Sequence, residues 1–96
     1  MSANRHIHDF VIIHCSVTAA GLPLIDELKQ YSSATTEKDA LEIAMKFVKD
    51  RLDAEGVHMI PAAIRYSFCT TGRFELQGEE ENRWAVIIFE PHILDK

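Results

Sequence analysis

The chain of 96 residues contains no apolar run near the roughly 20 residues that a membrane-spanning helix needs. Its first residues, MSANRHIHD, lack the apolar core and the small-residue cleavage pattern of a secretory signal. We therefore expect no membrane partner and a cytoplasmic location.

Cysteine and glycine are also scarce, at two and four residues. So few glycines exclude a phosphate-cradling loop, which needs several of them close together. Cys15 and Cys69 fall in apparent strands of a chain expected in a reducing compartment. We interpret both as small packing side chains rather than as redox groups or metal ligands.

Basic residues are few and scattered, because ten Lys and Arg face fifteen Asp and Glu and the net charge is −5. A phosphate backbone is bound through clustered basic side chains that release counterions, so we expect no nucleic acid partner. The densest acidic run, Glu79 to Glu81, is typical of a solvent-facing turn.

What is present indicates one globular domain over residues 1–96, with 47% hydrophobic and 26% charged residues. Residues 7–18 are rich in β-branched and aromatic types and predict a strand. Thr36 and Asp39 have the spacing of a helix cap, and Gly56 is a stop signal. Between them a stripe at helical period predicts a long helix; its members are Ala40, Leu41, Ala44, Phe47, Val48 and Leu52.

Three further strands are predicted after this helix. Residues 64–69 alternate between apolar and polar types, as do residues 73–77 after Gly72. The last strand, WAVIIFE, has no alternation, which predicts burial on both faces. For residues 22–31, Pro23 and the apolar spacing favour a short helix over a strand, and both remain open.

These elements predict an α+β fold, a two-layer sandwich of order β-(α)-α-β-β-β. One long helix packs on one face of a four-stranded, mostly antiparallel sheet. The first and last strands are expected to be central because of their apolar composition.

The stretch RHIHDFVIIHC raises the question of a chemical site. His6 and His8 are close enough to share a metal ion, but no spacing supplies the remaining ligands, so we predict neither a metal nor a cofactor. His14-Cys15-Ser16 matches the H-x-[ST] tripeptide that two-histidine phosphoesterases carry twice, and it occurs once here. The alternative function is therefore a small hydrolase or isomerase, with His14 as general base near Ser16 or Cys69 in a dimer-formed pocket.

The leading prediction concerns the sheet face opposite the long helix. Alternation assigns Val11, Ile13, Cys15 and Val17 to the helix side, which leaves an apolar strip on the outer side. Such a strip needs a cover, either residues 22–31, a second copy or another protein. We predict a small interaction module, an inhibitor or adaptor, that is homodimeric or binds another protein. The predicted binding residues are Phe10, Ile12, His14, Trp84, Val86 and Ile88.

Overall fold

The computed structural model describes residues 10–76 and 83–90 of the chain. These residues form an α+β fold with a four-stranded antiparallel sheet and two helices, which confirms the predicted class. The elements in chain order are β1 (Phe10–Val17), β2 (Pro23–Ala34), α1 (Glu37–Glu55), α2 (Pro61–Thr71), β3 (Arg73–Leu76) and β4 (Trp84–Phe89).

The strands are arranged in the order β2-β1-β4-β3, and every neighbouring pair is antiparallel. The first and last strands are therefore central, as predicted. Their position follows from composition, because both carry apolar side chains on both faces and only an interior position covers both.

Helix α1 begins and ends where the sequence predicts. The Thr36 hydroxyl accepts a hydrogen bond from the Asp39 amide, and Gly56 closes the helix in the left-handed conformation. The predicted apolar stripe packs against the sheet, and its fully or nearly buried members are Ala40, Ala44, Val48 and Leu52.

The predicted strand over residues 64–69 is wrong, because these residues belong to helix α2. Pro61 occupies the first turn, where its missing N–H costs nothing, and Gly72 closes the helix by donating its amide to Phe68. Ile64 and Phe68 lie one helical turn apart, and both enter the core. The same spacing also fits the alternation of a strand, so the short apolar pattern was ambiguous.

The short helix favoured for residues 22–31 is also wrong, because these residues belong to β2 apart from Leu22. Residues 30–34 pair one to one with β1, and this ladder supplies tertiary hydrogen bonds that outweigh the local helix propensity. Two register shifts interrupt the ladder between His14 and Ser16 of β1. The fourth strand of the sheet is therefore β2, and not residues 64–69.

Neither of the two helices in the described residues has the length and hydropathy needed to cross a bilayer. The acidic run from Glu79 to Glu81 and the pair His6 and His8 lie outside the described residues.

Candidate functional site

The six residues predicted to form an outer binding face lie on the helix side of the sheet. Ile12, Trp84 and Val86 are fully buried in the core that α1 and α2 share with the sheet, and Phe10 and Ile88 pack against that core. His14 is on the same side and is also buried. The face assignment of these residues is therefore wrong, and the opposite parity forms the outer face.

The reason is the size of the side chains. The helix side takes the larger ones, because Trp84 fills the space between the sheet and the C-terminal half of α1 and packs on Phe74 with ring centroids 6.0 Å apart. The outer side takes the smaller set, which forms a second cluster without helix residues: Val11, Ile13, Cys15, Val17, Ala85 and Ile87. The two alternating sets of residues in β1 and β4 are equally apolar, so alternation does not show which set faces the helices.

His14 is the centre of a polar cluster between the sheet and α1, which we name the His14 cluster: His14, Gln30, Arg51, Glu55 and Trp84. The His14 Nδ1 atom is 3.1 Å from Gln30 Oε1, and its Nε2 atom is 3.3 Å from Arg51 Nη1. Arg51 also lies over the Trp84 ring at 5.2 Å, and the indole N–H donates to Glu55 at 3.1 Å. Every member of the cluster therefore contacts another member.

This geometry determines the protonation of the His14 ring. A guanidinium can only donate, so Nε2 is the acceptor, and Nδ1 carries the proton and donates it to Gln30. Burial lowers the pKa of His14 below its ordinary value of 6.5. The Gln30 hydrogen bond opposes this shift, and the charge of Arg51 adds to it. The neutral ring is thus held by a partner at each nitrogen, which leaves neither nitrogen free to take a substrate proton in this conformation.

We expect the His14 cluster to make the free energy of unfolding depend on pH. Because the folded-state pKa is below 6.5, the unfolded chain binds the proton first as pH falls. We expect the stabilisation to be complete above about pH 6.5 and to decrease below it, by no more than about 1.4 kcal/mol per pH unit. Urea unfolding of the wild type and of His14→Gln, at about pH 7.5 and about pH 5.5, measures this component.

The His14→Gln variant should lose less stability between the two pH values than the wild type does. His58→Gln, at an exposed histidine in the connection between the helices, is the matched control. Equal pH dependence in the wild type and His14→Gln would contradict the assigned role of His14.

The other groups of the alternative enzyme prediction are spread over different elements. Ser16 pairs with Trp84 across the central strands, whereas Cys69 is exposed on α2. Within residues 10–76 and 83–90, no three His, Cys, Asp or Glu side chains are grouped so that they could hold a metal ion.

The outer face of the sheet is partly covered by the β1–β2 connection. Arg73 and Glu75 of β3 lie opposite Ile87 and Ala85, so they share the outer side with them. Arg73 donates to the Gly21 carbonyl at 2.9 Å and to Glu75 at 3.0 Å, and thereby holds the connection against this face. Burial here raises the pKa of the Cys15 thiol, which fits a packing role.

Strand β2 and the residue before it present a row of exposed apolar side chains, which we name the β2 row: Leu22 in the β1–β2 connection, and Ile25, Leu28 and Tyr31 on β2. Their exposed fractions are 63%, 58%, 41% and 64%. Leu28 and Tyr31 pair with Cys15 and Ile13, so both lie on the outer side of the sheet. The apolar residues of this row are visible in the sequence as a possible cover for the outer face. Because a short helix is favoured for residues 22–31, the sequence does not predict that they form an exposed row on a strand.

A groove of about 600 Å³ lies between the C-terminal half of α1 and the start of α2. Its floor is apolar and includes Leu52 and Ile64. The charged residues on its rim are already paired, since Lys46 contacts Asp50 at 3.0 Å and Lys49 contacts Asp53 at 2.9 Å. The rim therefore offers few charges for a ligand, and the β2 row is the stronger candidate site.

Comparison of the chain with protein-family models, with curated proteins and with solved structures gave no match.

Proposed function

We propose that the chain is a small cytoplasmic protein-interaction module, an inhibitor or adaptor, which binds another polypeptide through the β2 row. The observation that carries this proposal is the exposure of three large apolar side chains along β2 and of Leu22 just before it. Covering a large apolar side chain contributes about 1.5–3 kcal/mol when it is complete, so covering this half-exposed row contributes on the order of 5 kcal/mol. That amount is close to the net stability of a small domain.

The position of β2 supports a particular binding mode. In the part of the sheet formed by residues 10–76 and 83–90, β2 has a neighbour on one side only. An extended peptide can add to such an edge, where backbone hydrogen bonds supply affinity and side chains supply specificity. A cytoplasmic location fits the two cysteines, both of which are free thiols.

The alternative function as a hydrolase or isomerase receives less support. It needs an accessible general base, but both nitrogens of His14 have partners within the protein. It also needs a nucleophile within hydrogen-bond reach of that base, but the hydrogen-bond partners of the His14 ring are Gln30 and Arg51.

Site-specific photo-crosslinking in the cells that make the chain tests the proposal. A photo-reactive phenylalanine analogue is placed at Leu28 or Tyr31, and at Tyr66 of α2 as the control. Tyr66 is 71% exposed, so it matches Tyr31 in type and accessibility. We expect adducts of defined mass from the two β2 positions and none of the same mass from Tyr66.

The absence of adducts from both β2 positions would overturn the proposal, and so would an identical set of adducts from Tyr66. The first result would leave the β2 row without a partner. The second would indicate random collision rather than a docking surface.

A further inference from the structure

Part of the β2 backbone does not pair with the neighbouring strand β1. Among the described residues, β1 pairs with Leu24, Leu28 and Gln30, and it passes over Ile25 to Glu27 and also Lys29. Backbone N–H and C=O groups require a partner, either water or another strand. Natural sheet edges with free backbone groups are usually protected by charge or by proline, and β2 carries both kinds of residue beside the exposed Ile25 and Leu28: Pro23, Asp26, Glu27 and Lys29. A strand that pairs with β2 must therefore match these charges.

The charged residues on either side of Leu28 are complementary to those of a second copy of the chain that runs antiparallel to the first. Glu27 precedes Leu28 and Lys29 follows it, so a second copy that runs antiparallel about Leu28 places opposite charges face to face. Counted residue by residue from Leu28, the same register matches Ile25 with Tyr31, and these two side chains are 58% and 64% exposed. A parallel arrangement of two copies would instead place Glu27 against Glu27.

We propose that β2 pairs antiparallel with β2 of a second copy of this chain, with Leu28 on the two-fold axis. Each Glu27 then pairs with the partner's Lys29, and each Ile25 contacts the partner's Tyr31. The four-stranded sheet continues through the axis into an eight-stranded sheet of two copies. This inference rests on the proposed function, because it names the occupant of the β2 row.

The arrangement fits the physics of a two-fold interface. A two-fold contact uses the same surface of both copies, so one favourable pair is always made twice. Here the repeated pairs are an ion pair and an apolar pair on either side of a central leucine contact. Opposite charges and apolar side chains directly across an antiparallel pair both stabilise the pairing. Like charges in those positions destabilise it.

Charge exchange in the purified chain tests the register. Glu27→Lys and Lys29→Glu each create two like-charge contacts in the dimer, so each variant alone should dimerise at least about tenfold more weakly than the wild type. An equimolar mixture of the two variants restores both ion pairs, and the double variant Glu27→Lys/Lys29→Glu does the same. Sedimentation equilibrium and light scattering measure the dissociation constants.

Lys38→Glu and Glu42→Lys are the matched control variants, because this exposed pair on α1 has the same charges at 3.1 Å. Neither control substitution should change dimerisation. A wild type that is monomeric at its highest soluble concentration would overturn the inference. A mixture of Glu27→Lys with Lys29→Glu that associates no better than either variant alone would also overturn it.

The rate of disulfide formation between two copies tests the position of the two-fold axis without any change of charge. In a Cys69→Ser background, Leu28→Cys places two thiols opposite each other, at a separation that a disulfide spans. We expect rapid oxidation to a covalent dimer. Ser33→Cys, also exposed on β2, lies far from its own copy in this register and should oxidise slowly. Equal rates at the two positions would contradict the register.

The failure of this inference differs from the failure of the proposed function. Adducts from Leu28 and Tyr31 that contain a different protein, together with a monomeric purified chain, would overturn self-pairing and support the proposed function. The absence of any adduct from both positions would overturn both.

Discussion

Replacement of Trp84 by alanine is expected to lower the free energy of unfolding by about 3–5 kcal/mol. Trp84 is fully buried and packs against Phe74, and its ring lies edge-on to His14 at 5.3 Å. Its removal leaves a large cavity between the sheet and α1, and it also removes the donor to Glu55 and the ring beneath Arg51. Urea unfolding followed by circular dichroism measures the loss, since the variant lacks the tryptophan signal.

Trp84→Phe removes the hydrogen bond to Glu55 but only part of the packing. It keeps an aromatic ring in the core but removes the indole N–H, so we expect a smaller loss of about 1–2 kcal/mol. A loss in Trp84→Ala no greater than that in Trp84→Phe would show that the ring contributes little packing energy. That result would contradict the central position of Trp84 in the core.

The second large effect is expected from Ile12→Ala, which should cost about 2–5 kcal/mol. Ile12 is fully buried on the helix side of β1 and lies opposite Ile88 and Ser32. Deleting its side chain removes apolar contacts and leaves a cavity that close-packed neighbours fill only in part. Denaturant unfolding at constant pH gives the difference directly.

Ile25→Ala is the matched control, because Ile25 is the same residue type in the same sheet but is 58% exposed. We expect a change within about 0.5 kcal/mol in the monomer. A similar loss for both variants would contradict the burial of Ile12. The pair therefore also tests the corrected face assignment, since the sequence had placed Ile12 on the outer surface.

Much of the fold could be predicted from the sequence because several elements carry redundant signals. Helix α1 has a cap at Thr36, a stop at Gly56 and an apolar stripe, and each signal specifies the same helix. The central position of β1 and β4 also follows from their composition alone. Local signals that agree with one another are the ones that a sequence reading recovers.

The segments that the sequence misassigned are those whose local signals conflict or apply to two structures. Ile64, Tyr66 and Phe68 alternate like a strand, and Ile64 and Phe68 are also one helical turn apart. In β2, helix-favouring residues are held in a strand by pairing with β1, which no local pattern reveals. The conformation of such a segment is decided by its pairing with another strand.

The face of the sheet on which the six predicted binding residues lie could not be predicted from the sequence. Both parities of β1 and β4 are apolar, so alternation cannot assign a face. The register supplies the missing information, because polar Arg73 and Glu75 lie opposite Ile87 and Ala85 and thereby mark the outer side. The exposed β2 row is missed for a separate reason, because the sequence favours a helix for residues 22–31.

The pairing of β1 with β4 has a consequence for how the chain acquires its structure. Ile12 lies opposite Ile88, so the two innermost strands come from distant parts of the chain, whereas the backbone hydrogen bonds within α1 and α2 are local. Closing so long a loop before its contacts form slows folding. During synthesis, Phe89 must emerge from the ribosome before the sheet can be completed. Until then β1 and α1 expose apolar surface, and chaperones have their longest opportunity to bind the nascent chain.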